Sequence, residues 1–130
     1  MSAVSIAIHG VRASYRPGES ISGSVEWSAD PAPRSIEIRL FWLTSGAAPR
    51  QIGIVETCVL NDTNPSGSSR FEFVLPEGPW SFEGALTRLG WAIEAILIPS
   101  NRSSNVMFSV GPSDLPLYLY AKGEAVEEEI

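Results

Sequence analysis

Apolar and polar positions alternate with a period of two along most of the chain. Val4, Ile6 and Ile8 share one face of a run whose other face is Ser5, Ala7 and His9. Ile21, Gly23, Val25 and Trp27 alternate with Ser22, Ser24, Glu26 and Ser28. Ile36, Ile38, Leu40 and Trp42 alternate with Glu37, Arg39, Phe41 and Leu43. The same stripe recurs at Phe71, Phe73 and Leu75, at Leu89, Trp91, Ile93, Ala95 and Leu97, and at Val106, Phe108 and Val110. Successive side chains of a strand point to opposite faces, so each run predicts a strand with one face on a core. Residues 51–60 (QIGIVETCVL) also read as a strand, but their pattern does not say which face turns inward.

Turn compositions separate the runs: Arg16-Pro-Gly, Asp30-Pro-Ala-Pro, Ser45-Gly-Ala-Ala-Pro, Asn61-Asp-Thr-Asn-Pro-Ser-Gly and Pro99-Ser-Asn-Arg. Ten Pro and eleven Gly leave no long window favourable to a helix. The best candidate, residues 91–98, is β-branched and aromatic between Gly90 and Pro99, which favours a strand. Seven or eight strands punctuated by turns predict an all-β fold, an antiparallel immunoglobulin-like β-sandwich. Trp27, Trp42, Trp91, Phe71, Phe73 and Phe108 all fall on inward phases and are expected to seal its core.

A chain of 130 residues suffices for one such core and not for two. Residues 1–120 are expected to form the domain, and the acidic residues 121–130 (AKGEAVEEEI) a solvated tail. Half of the formal charge of −6 arises there: Glu124, Glu127, Glu128 and Glu129 fall in the last seven residues. The remainder is mildly acidic with no basic cluster, which argues against a nucleic-acid backbone or an anionic membrane surface as partner. No stretch reaches the roughly 18 apolar residues that a membrane helix needs, and MSAVSIAIHG lacks the basic start of a secretory signal. The expected location is cytoplasmic.

At residues 15–25 the pattern Tyr-Arg-Pro-Gly-Glu-Ser-Ile-Ser-Gly-Ser-Val resembles the opening of arrestin-like domains. Phe71-Glu-Phe-Val-Leu-Pro, followed by Gly78-Pro-Trp-Ser-Phe-Glu-Gly, resembles that family's apolar strand ending in Leu-Pro and its Pro-x-Ser-Phe element. Trp91-Ala-Ile-Glu-Ala is similar to the family strand that opens on an aromatic. The three pieces stand in the family's order and cover about residues 4–110. The group includes arrestins, the retromer subunit Vps26 and bacterial sporulation-control proteins. The resemblance implies a single arrestin lobe and a non-enzymatic binding role. Arrestins and Vps26 carry two such domains in tandem, so their phosphate sensor and receptor-recognition residues are not carried over. The motif residues have structural readings of their own. Gly18 supplies a turn, Gly23 a bulge or a close approach, Pro76 a strand end, and Phe82 a plug for one end of the sandwich.

Catalytic chemistry has few candidates. His9, the only His, sits on a polar phase and reads as a solvated side chain. Cys58, the only Cys, has no basic neighbour and reads as a small buried hydrophobe, so neither a disulfide nor a thiolate metal cluster is expected. Glu72 and Glu94 lie on outward phases of different strands and read as solvated. Ser81 lacks the Gly-x-Ser-x-Gly frame of a hydrolase elbow. No cofactor and no metal are expected.

Two features point to protein binding. Phe41, Leu43, Ile96 and Ile98 place apolar side chains on outward phases, and clustered exposed apolar area marks contact sites. The segment Leu115-Pro-Leu-Tyr-Leu-Tyr is a short apolar strand that Pro116 confines to an edge, where it can pair with another sheet. The expected interface is therefore Leu115, Leu117, Tyr118, Leu119 and Tyr120 together with Phe41 and Leu43. Its occupant is a protein partner, a second copy of the chain included. The alternative is a small-ligand or carbohydrate-binding sandwich that uses Trp80, Tyr118 and Tyr120 as stacking platforms.

Overall fold

The computed structural model describes residues 2–10, 12, 14–47, 49–61, 63–112 and 117–119. No helix occurs among them, and ten strands do: β1 (Ser2–Ile8), β2 (Ser14–Tyr15), β3 (Ser20–Ala29), β4 (Ser35–Gly46), β5 (Ile52–Asn61), β6 (Ser66–Val74), β7 (Phe82–Gly84), β8 (Thr87–Ile98), β9 (Ser103–Val110) and β10 (Leu117–Leu119). Seven of these are longer than three residues: six match the alternating runs, and β5 matches the strand read at residues 51–60. Leu115, Pro116, Tyr120 and residues 121–130 lie outside the described residues.

The strands form two sheets. The smaller has the order β1-β3-β6 and is antiparallel throughout. In the larger, β8 pairs with β4 along its whole length, and β5 lies on the far side of β4. The other edge of β8 is shared: β7 pairs with residues 88–89 and β9 with residues 91–96. Two short pairings are parallel, β2 with β9 and β10 with β7, where antiparallel pairing was expected throughout.

The predicted stripes are the core. Ile21, Val25, Ile36, Ile38, Leu40, Trp91, Ile93, Ala95, Leu97 and Val110 are almost wholly withdrawn from solvent, with Phe71, Phe73 and Phe108 beside them. Trp42 is half-buried against that cluster. Gly23 reflects a close approach, because a Cβ there would run into the Ala7 carbonyl oxygen and the Phe71 ring. The register through β1, β3 and β6 is unbroken at Gly23, so no bulge is present.

Two core tryptophans also tie down loops. Trp27 Nε1 donates to the Asn64 carbonyl at 2.9 Å, and Trp91 Nε1 donates to the Pro79 carbonyl at 2.8 Å. Next to Pro79, buried Ser81 accepts from Val110 N at 3.0 Å through its Oγ and donates its own N–H to the Val110 carbonyl at 2.7 Å. The Pro-x-Ser-Phe element is thus stitched to the end of β9. Phe82 packs half-buried against the core, the plug expected from its sequence context.

Candidate functional site

The Pro-Gly-Glu element is a structural clamp. Gly18 has φ +87°, which a β-carbon disfavours, and its N–H donates to the Leu75 carbonyl at 2.8 Å. Glu19 accepts from Arg12 through both carboxylate oxygens, at 2.6 and 3.3 Å, and from the Arg16 N–H at 2.7 Å. Arg12 lies over the Tyr15 ring, 4.5 Å from its centroid. The Arg12 hydrogen bonds, then that from the Arg16 amide, hold the Glu19 carboxyl down to about 2. The clamp joins the β2–β3 turn to the end of β6, and its acid and base are fully engaged with each other.

The residues considered for chemistry remain apart. His9 is exposed at the end of β1. Cys58 is half-buried on β5 and packs against the core. Glu72 and Glu94 belong to opposite sheets, so they do not meet. Among the described residues no group of three His, Cys, Asp or Glu side chains is placed to hold a metal ion. Trp80 is partly exposed, but its indole N–H donates to the Glu77 carbonyl, and two clefts on the larger sheet, of about 380 and 350 Å³, are lined by other residues.

Those clefts lie on the outer face of the larger sheet, where a sandwich ordinarily carries polar side chains. Register sets the pattern. Ile54, Phe41, Ala92 and Met107 form one cross-strand row over β5, β4, β8 and β9, and Ile52, Leu43 and Gly90 form the next. Ile52, Ile54 and Met107 are more than half exposed, at 54%, 55% and 56%, whereas Ala92 beneath them is 1% exposed. Side chains on this face thus cover one another and leave a groove of about 380 Å³. Arg39, Arg50, Glu94 and Asn105 complete its walls. Arg39 is held by Glu37 at 2.6 Å, while Arg50 makes no ion pair with a described residue. A second cleft of about 350 Å³ adjoins the first through Leu43 and Met107 and runs to Phe82, Glu83 and Arg88.

The structure therefore brings Phe41 and Leu43 together, as their phase predicts. It places the backbone of Leu117–Leu119 beside β7, with β7 and β8 between it and β4. Sequence reasoning missed Ile52, Ile54, Met107 and Arg50. A bulge is the reason for the first two: Leu40 pairs with Glu56 and Phe41 with Ile54, which leaves Val55 as an extra residue. The bulge shifts the phase of residues 52–54 relative to 57–61, so no single alternation fits β5.

No family model matches the sequence, and no curated protein matches it. Solved structures do. Spo0M, a sporulation control protein from Bacillus subtilis, superposes with a TM-score of 0.58 at 15% identity, over 86% of this chain. The fold is that of an arrestin-like lobe. The arrestin-like chain covers half of the Spo0M chain. At this identity the likeness speaks for fold alone. Among the described residues no helix is long and apolar enough to cross a membrane.

Proposed function

We propose that this chain is a non-catalytic protein-binding module that takes its partner on the outer face of the larger sheet, at the β4–β5 rim. The carrying observation is the apolar double row formed by Ile54, Phe41, Ala92 and Met107 with Ile52 and Leu43. Large apolar side chains on a face that water could otherwise wet cost free energy unless something covers them. The flanking guanidiniums of Arg39 and Arg50 suit a polar rim around an apolar centre, the usual anatomy of a contact patch. The arrestin-like fold supports the same class of role, since the motif residues of the sequence resemblance here serve turns, loop ties and core packing rather than chemistry.

Site-specific photo-crosslinking tests the proposal. A photoreactive residue at Ile54 is expected to capture a discrete protein in the native cell. The same group at Val74, an exposed apolar position on the opposite sheet, is the control. Identical adduct patterns at the two positions would remove the proposal. Ile54→Asp and Met107→Asp are expected to abolish the discrete adduct from a crosslinker placed at Ile52.

A further inference from the structure

The charges on the outer face of the larger sheet fall at opposite ends of its apolar rows. Ser45 pairs with Arg88 on one side, and the β4–β5 register, continued past Leu43 and Ile52, sets Arg50 on the other, so both guanidiniums stand in one row. The next two rows are apolar, first Leu43 with Ile52, then Phe41 with Ile54 and Met107. The row after them holds Arg39 and Glu94, with Glu37 one row further along β4. Arg39 is taken by Glu37 at 2.6 Å, which leaves Glu94 with no ionic partner among the described residues. At the other end Arg50 has none either, and Arg88 reaches Glu83 only at 3.9 Å. The face is therefore net cationic at one end and net anionic at the other, about 20 Å apart along β8 at about 3.4 Å per residue.

We infer that the occupant of this face is a second copy of the same chain, packed face to face about a two-fold axis that lies between the two apolar rows and runs across the strands. The inference rests on the reading of this face as a protein-binding surface and names the partner.

Three observations select that occupant. The first is the backbone beneath the face. β4 and β8 are paired on both edges, so the face offers an incoming chain side chains only. An extended peptide laid on it gains no ladder hydrogen bonds, whereas a second sheet arrives with its own already made.

The second is charge complementarity. Copies related by such an axis run antiparallel, strand over strand, and exchange rows. Leu43 then faces Phe41, Ile52 faces Ile54, and Arg88 faces Glu94 of the second copy, each contact made twice. The polarity of the face becomes two ion pairs between the copies. A two-fold axis along the strands would instead lay the guanidinium row over itself, which like charges oppose.

The third is relief. On β8 the alternate residues between Arg88 and Glu94 are Gly90, which has no side chain, and Ala92, which is 1% exposed. Nothing bulky on β8 holds the copies apart where the ion pairs form. Packed sheets lie about 10 Å apart, a gap that an arginine and a glutamate bridge together. Between Cα positions the four rows and four strands span roughly 20 by 14 Å, less than the about 800 Å² per partner of a standard complex. The pair is thus expected to be weak, dissociating at about 10–100 μM.

Sedimentation velocity of the full-length chain, at concentrations spanning that range, is expected to show a reversible monomer–dimer equilibrium. Arg88→Glu and Glu94→Arg are each expected to weaken the dimer at least tenfold. The double reversal rebuilds both ion pairs with their signs exchanged and is expected to return the dissociation constant to within about threefold of the parent's. Arg88→Gln and Glu94→Gln replace any reversal that lowers the melting midpoint, each with at least a threefold weakening expected. A chain that stays monomeric throughout, a dimer indifferent to both single substitutions, or a double reversal as weak as the single ones would overturn the inference. The photoreactive residue at Ile54 separates it from the reading on which it rests. In the purified chain that residue is expected to give an adduct of two chains. If the purified chain gives none while the native-cell adduct persists, the face binds another protein and the inference alone falls; if neither adduct forms, both fall.

Discussion

Trp91 combines two jobs in one side chain. Its ring is fully buried between the sheets, 6.4 Å from Phe108, and its single donor holds the Pro79 carbonyl. Trp91→Ala removes both and is expected to cost about 3–5 kcal/mol, a large share of the roughly 5–15 kcal/mol that holds an ordinary domain folded. Trp91→Phe keeps much of the packing and loses the hydrogen bond; a chemical melt should place it between the parent and the alanine variant. Glu19 makes a different kind of prediction. Its carboxyl is held below its ordinary value of 4.5, at about 2, by Arg12 and the Arg16 amide. A depressed acid stabilises the fold above its unfolded value and loses that contribution as the pH falls through the folded one. Stability should therefore decline between about pH 4.5 and 2, and Glu19→Gln should flatten that part of a thermal-melt pH profile. The exposed clamp makes the effect small and salt-sensitive.

Strands with one face on the core were legible element by element. Ile36, Ile38 and Leu40, or Leu89 through Leu97, alternate because burial on one side and water on the other select residues with the pleat's own period. β5 was legible as a strand but its facing was not, and it pairs with β4 alone among the described strands. Its bulge at Val55 resets the alternation, and Gly53 is small because the Trp42 indole occupies the space a Cβ would need. The two parallel pairings, β2–β9 and β7–β10, were illegible for another reason. Two or three residues carry no period, and their pairing is decided by tertiary placement. Half the groove followed from phase, through Phe41 and Leu43. The other half needed the register that sets Ile54 and Met107 in the same row. At this scale Gly23→Ala is the sharp test of close packing. The added methyl meets the Ala7 backbone, so β1 must shift from β3, with an expected loss of about 1–3 kcal/mol by urea denaturation.

For the whole molecule, the two sheets share one core that runs from Ile21 and Phe73 in the smaller to Ile38 and Ile93 in the larger. A core shared this way predicts all-or-none unfolding. Tryptophan fluorescence, which reports on both sheets through Trp27 and Trp91, should trace the same denaturant curve as far-ultraviolet circular dichroism. Separate midpoints would mean that the sheets come apart independently. Among the described residues no strand pairs with the outer flank of β5, ten residues long. Such a flank can recruit copies of itself, yet two features of β5 oppose it: the kink at Val55, and Glu56, whose partner Leu40 fixes it on the inward side while it stays in solvent. Straightened and neutralised, for instance by removing Val55 and replacing Glu56 with Val, this flank would be a template for end-to-end stacking. The protein would then be expected to deposit as fibres at concentrations where the parent stays clear.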